Sequence, residues 1–81
     1  MHHDLKLLLR FADPKRDGRK LWEFRDKTDR IFSVGDTVTF HIVTDVTRRP
    51  TGETLGPVSI TYLLDEDILP AFTCIFSHTM P

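Results

Sequence analysis

Residues 18–36 read Gly18-Arg19-Lys20-Leu21-Trp22-Glu23-Phe24-Arg25-Asp26-Lys27-Thr28-Asp29-Arg30-Ile31-Phe32-Ser33-Val34-Gly35-Asp36. After Gly18, whose missing side chain permits a left-handed turn, the pattern takes a period of two. Lys20, Trp22 and Phe24 fall on one side of an extended segment, and Leu21, Glu23 and Arg25 on the other. This alternation predicts that Trp22 and Phe24 anchor the core. It also makes Glu23 and Arg25 neighbours on the opposite face, about 7 Å apart along the strand. Residues 26–30 contain no apolar member and read as a loop. Ile31, Phe32 and Val34 are expected to seal the sheet beneath it, and Gly35-Asp36 signals a second reversal.

Downstream, Val38, Phe40 and Ile42 alternate with Thr37, Thr39 and His41, predicting a strand with the apolar set inward and His41 outward. Residues 44–57 read as a long hairpin connection with Thr51-Gly52 at its tip. On it, Arg48 and Arg49 form either a solvated tip or a phosphate contact. Val58, Ile60, Tyr62 and Leu64 make the next alternating set, and Asp65-Glu66-Asp67 an acidic turn. Phe72, Cys74 and Phe76 supply a last strand, and residues 78–81 read as a tail. Upstream, Leu5 to Leu9 reads as a first strand running into a helical turn. Pro14 limits the helix around it: Asp13 is either its break or the cap of a new turn with Pro14 at the first position. Four to five short strands with one or two short helices predict a mainly β fold with minor α, bent into a small barrel of few free edges.

Eighty-one residues make one domain, spanning 1–81, with a thin core. Eight aromatics and an apolar fraction of 40% suit a folded chain and not a disordered one. Cys74 is the only cysteine, so no internal disulfide is available, and its apolar flanks predict a buried, inert thiol. The apolar run at 7–9 is too short for a signal peptide or a membrane span, so a cytoplasmic protein with no membrane partner is expected. The adjacent His2 and His3 alone are weak evidence for a metal, the single outward His41 lacks the partners of a metal site or a triad, and no metal or other cofactor is expected. Net charge is −1, yet residues 1–30 hold nine bases against six acids, and residues 31–81 two against six. Such asymmetry permits an electropositive patch on a nearly neutral protein.

Gly18-x-Lys20-x-x-Glu23-x-Arg25, followed by Asp29-Arg30-x-Phe32-x-Val34-Gly35-Asp36 and preceded by Leu5-Lys6, resembles the ASCH domain of the PUA-like superfamily. The likeness is to its compact bacterial and phage subgroup of unassigned function. It is dense over residues 2–43 and looser over Thr61-Tyr62-Leu63-Leu64 and the last strand. The resemblance implies a barrel of five or six strands beside a cleft, and recognition of RNA or a modified nucleotide. By that likeness Lys20, Glu23 and Arg25 line the cleft, with Lys6 and Arg30 at its rim. Some ASCH enzymes remove an acyl group from modified cytidine, pairing a lysine with a threonine three positions on and a distant glutamate. Lys20 matches the lysine, Glu23 stands in the threonine position, and residues 65–67 offer carboxylates for the glutamate. A carboxylate beside the ammonium favours protonated lysine, against its use as a general base.

The leading expectation is therefore a noncatalytic RNA- or modified-nucleotide-binding domain, with cations on phosphate, Glu23 on a base amino group and an aromatic stacked on a base. The alternatives are a small phage- or bacterium-encoded modulator binding a host protein through its acidic second half, and an amidohydrolase acting on acylated cytidine.

Overall fold

The computed structural model describes residues 1–81. Strand β1 (His2–Leu8) runs into a 3-10 turn at Leu9–Phe11 and the short helix α1 (Ala12–Arg16). Strands β2 (Trp22–Asp26), β3 (Thr37–Val43), β4 (Pro50–Leu64) and β5 (Thr73–His78) follow. They form one mixed five-stranded sheet in the order β1-β3-β4-β5-β2, in which β1 lies parallel to β3 and the other pairs are antiparallel. The mainly β, minor α expectation thus holds, with one short helix. Asp13 is no break: it lies inside α1. Pro14 sits in the helix's first turn, where its missing N–H costs nothing. No helix is long and apolar enough to cross a membrane.

Strand β3 is the centre of the core. Val38, Phe40 and Ile42 are buried on its inner face, as their alternation predicts, while His41 is exposed and its Nε2 donates to Asp4 Oδ1 at 2.8 Å. Leu5 and Leu7 from β1, Leu55, Val58 and Ile60 from β4, and Cys74 and Phe76 from β5 complete this layer, with Ala12 and Phe32 over it. Burial pushes the Cys74 thiol above its ordinary pKa, in keeping with an inert group.

The long strand β4 binds the two halves together. Its first part pairs with β3 and its last part with β5, and it carries extra residues at three places along those ladders. At Gly56 an added Cβ would lie 2.7 Å from the Val38 carbonyl oxygen, and φ is +108°, so only glycine fits this bulge. The tip of the β3–β4 hairpin is the tight turn at 45–49, and Thr51-Gly52 lies within the strand, correcting the long connection expected there. The Thr44 carbonyl accepts the backbone N–H of Arg48, and the Thr44 N–H donates to the Arg49 carbonyl, which closes the turn. The irregularity between Ile60 and Tyr62 reverses the phase of alternation. Tyr62 consequently faces solvent, and Leu63 packs against the core in its place.

Four other expectations change. Ile31 and Val34 are exposed, and only Phe32 of that trio seals the core, tilted against His3 and Phe76. Phe72 is exposed at the turn before β5. His78 is no tail residue but a buried member of β5, in phase with Cys74 and Phe76. The sheet, finally, does not close into a barrel. Its free edges are β1 and β2, and two arginine side chains stand where a closing ladder would run. Arg25 Nη2 donates to the Lys6 carbonyl at 2.6 Å, and Arg30 Nη1 to the Asp4 carbonyl at 3.4 Å.

Candidate functional site

Between those two edges lies a cleft of about 620 Å³. Strand β1 and the turns after it supply Lys6, Leu8, Phe11 and Pro14; the other wall is Lys20 with Trp22, Glu23, Phe24 and Arg25. Val43 and Arg48 stand at the β3 end. Of the residues singled out from the sequence, Lys6, Lys20, Glu23 and Arg25 meet here. Arg30 does not line the cleft and instead reaches the Asp4 carbonyl.

The faces of β2 are the reverse of the alternation-based expectation. Glu23 is 4% exposed, whereas Trp22 and Phe24 are 47% and 48% exposed and line the cleft. The cause is the company Glu23 keeps. Its Oε2 lies 2.5 Å from Lys20 Nζ and 3.5 Å from Lys15 Nζ, and its Oε1 accepts from Arg25 Nη2 at 2.8 Å. A carboxylate with three cations can be buried where a lone one could not. Burial alone would raise the Glu23 carboxyl pKa, but the hydrogen bond from Lys20 and the charges of Lys15 and Arg25 outweigh it. The carboxyl titrates below its ordinary value and is ionised at neutral pH.

Lys15, unmarked in the sequence reading, is the post on which this cluster stands. It is completely buried, and its Nζ donates to the carbonyls of Lys20 and Trp22 at 3.3 Å each. It also donates to His78 Nε2 at 2.8 Å and sits 4.6 Å from the centre of the Phe40 ring. The direction of the His78 bond is fixed by its other nitrogen. Nδ1 lies 2.7 Å from the Thr79 carbonyl, which can only accept, so Nδ1 carries the proton and Nε2 accepts from Lys15. Burial lowers the His78 pKa, in agreement with this neutral ring. Burial also lowers that of Lys15 to about 8, with the Glu23 charge opposing the shift. A signal for both residues was present. Lys15 falls on the face of α1 that buries Ala12, three positions earlier, and His78 continues the inward parity of β5.

The remaining walls are aromatic and cationic. Lys20 Nζ lies 4.4 Å from the centre of the Trp22 ring and 4.9 Å from that of Phe11. Trp22 and Phe24 therefore border a positively charged floor in which cations outnumber the single carboxylate. Chemically, such a site offers π-faces for a planar ring, cations for an anion, and one ionised acceptor. The carboxylates of residues 65–67 are elsewhere. They border a separate depression of about 260 Å³ with Lys27, which pairs with Asp65. A comparison with proteins of curated function finds no match. Residues 2–77 match a family model described as a domain of unknown function, DUF3850, and the chain belongs to that family.

Proposed function

We propose that the cleft binds a nucleobase, and that the protein is a noncatalytic RNA- or modified-nucleotide-binding domain of ASCH-like kind. One observation carries this reading: two half-exposed aromatics on β2 border the same cleft as Lys6, Lys20, Arg25 and Arg48, around an ionised, buried Glu23. Stacking on Trp22 or Phe24 gives sequence-tolerant affinity, cations hold phosphate, and the Glu23 carboxylate accepts from a base amino group. The short Lys20–Glu23 pair and the remoteness of residues 65–67 favour binding over acyl hydrolysis. The exposed Ile68 and Phe72 near the acidic turn favour a second reading, a contact with a host protein at that separate depression. A single unpaired thiol fits a cytoplasmic setting for either role.

Trp22, the only tryptophan, is a built-in reporter. Short single-stranded RNAs and free nucleosides, N4-acetylcytidine included, are expected to quench its emission. The RNA affinity is expected to fall with salt and with Lys20→Ala. Unchanged emission across the whole panel, together with no heat of binding by calorimetry, would reject the reading. Acetate released from N4-acetylcytidine would replace it with hydrolysis.

A further inference from the structure

The chain has eleven lysines and arginines. Lys15, Lys20 and Arg25 pair with Glu23; Arg16 pairs with Asp13 and Glu53, Arg19 with Asp17, Lys27 with Asp65, and Arg30 with Asp29. The four left without a carboxylate are Lys6, Arg10, Arg48 and Arg49. These four are not scattered. Lys6 and Arg48 line the cleft from β1 and from the β3–β4 turn, and Arg49 adjoins Arg48. The Arg10 guanidinium carbon lies 4.9 Å from the centre of the ring of Phe11, another cleft residue. Asp45 is the one acid on that turn. It accepts the Arg10 backbone N–H at 3.1 Å, which ties the segment bearing Arg10 to the hairpin turn bearing Arg48 and Arg49 at the cleft's rim.

Resting on the base-binding reading above, we infer that this rim seats the phosphate of a nucleoside 5′-monophosphate, with the base against the aromatic wall. Lys6 and Arg48 line the cleft, Arg10 and Arg49 lie on the segments beside it, and none of the four pairs with a carboxylate, so a phosphate dianion would supply the missing counter-charge. The ligand is a mononucleotide because the charge stops there. Every lysine and arginine away from the cleft and its rim is already neutralised by an acid, so no basic track leads outward along which a polymer backbone would run. The Arg25 bridge to the Lys6 carbonyl also spans the gap between the walls.

The test is a pair of titrations followed by Trp22 emission, each ribonucleoside against its own 5′-monophosphate. The monophosphate is expected to bind about tenfold tighter or better, as one or two charge-assisted hydrogen bonds would produce. Arg10→Gln and Arg48→Asn should each erase most of that advantage, and Arg10→Gln, outside the cleft lining, should leave nucleoside affinity unchanged. Asparagine suits position 48 because its φ is +56°. Inorganic phosphate should compete with the monophosphate but not with the nucleoside. Equal affinity for nucleoside and monophosphate would overturn the phosphate rim and leave the base site standing. An oligonucleotide without a terminal phosphate that binds as tightly as the monophosphate would also overturn it. If neither nucleoside nor monophosphate binds, the base site and the rim fall together.

Discussion

Two carboxylates are buried in this protein, and they are treated in opposite ways. Asp36 is boxed in: His3 Nε2 donates to its Oδ2 at 2.8 Å, the Ser33 N–H donates to the same oxygen at 3.0 Å, and the Met1 amine donates to Oδ1 at 3.1 Å. These bonds tie the start of β1 to the turn before β3, beneath the Phe32 ring. Glu23 is instead surrounded by three cations and borders an open cleft. The first arrangement is balanced and serves the fold. The second has surplus positive charge facing solvent, and a fold alone has no use for that surplus. On the proposed function, the contrast separates a structural carboxylate from one that would meet a ligand.

The largest expected effect comes from removing the centre of the unbalanced cluster. Glu23→Ala leaves Lys15 buried without a counter-charge and should cost about 3–5 kcal/mol in chemical denaturation. Next is Lys15→Met, which keeps the bulk but orphans His78 Nε2 and two carbonyls, for a loss of about 2 kcal/mol. The same variant tests a pH signature. The pKa of Lys15 is depressed in the folded state to about 8 from 10.5, so between those values the unfolded chain binds more protons. Stability should therefore rise as pH climbs through that window, and Lys15→Met should abolish the rise.

Asp36→Asn probes the balanced carboxylate and should cost about 1–2 kcal/mol at neutral pH. The hydrogen bond from His3 is the main cause holding its pKa down to about 2 from 3.8. The carboxylate's contribution is present above the higher value and is lost as pH falls through the lower one, so this substitution should flatten the acid limb of stability. A loss for Asp36→Asn larger than for Glu23→Ala would invert the comparison. The smallest effect is expected for Trp22→Ala, under about 1 kcal/mol, because half of the ring is already in solvent. Its nucleoside binding should nevertheless be lost by calorimetry. A destabilisation as large as that for a core aromatic would return Trp22 to the structural set.

The strands of the core were legible because β3 obeys one rule throughout: apolar residues alternate, and the apolar set is buried. In β2 the period was equally legible and the facing was not. Alternation states that Trp22 and Phe24 share a side, but which side is inward depends on charge partners drawn from α1 and the segment after it. Lys15 lies eight residues before Glu23 in the chain, and no local pattern announces their meeting. Tyr62 was misplaced for a different reason, since one extra residue in β4 shifts everything beyond it to the other face. The site residues Lys6, Lys20, Glu23 and Arg25 came from the resemblance to the ASCH domain, and the cleft brings these four together. Arg48 and Phe11 join them only through the fold.

The arginine that spans the gap between β1 and β2 has one further consequence. An open sheet normally exposes a row of backbone groups that another chain can join, which invites aggregation. Here the two unpaired strands flank a common cleft, and the Arg25 guanidinium occupies the carbonyl of Lys6. Replacing it with a short side chain would free that carbonyl and should offer neighbouring molecules a longer template for strand addition, an effect that light scattering would report.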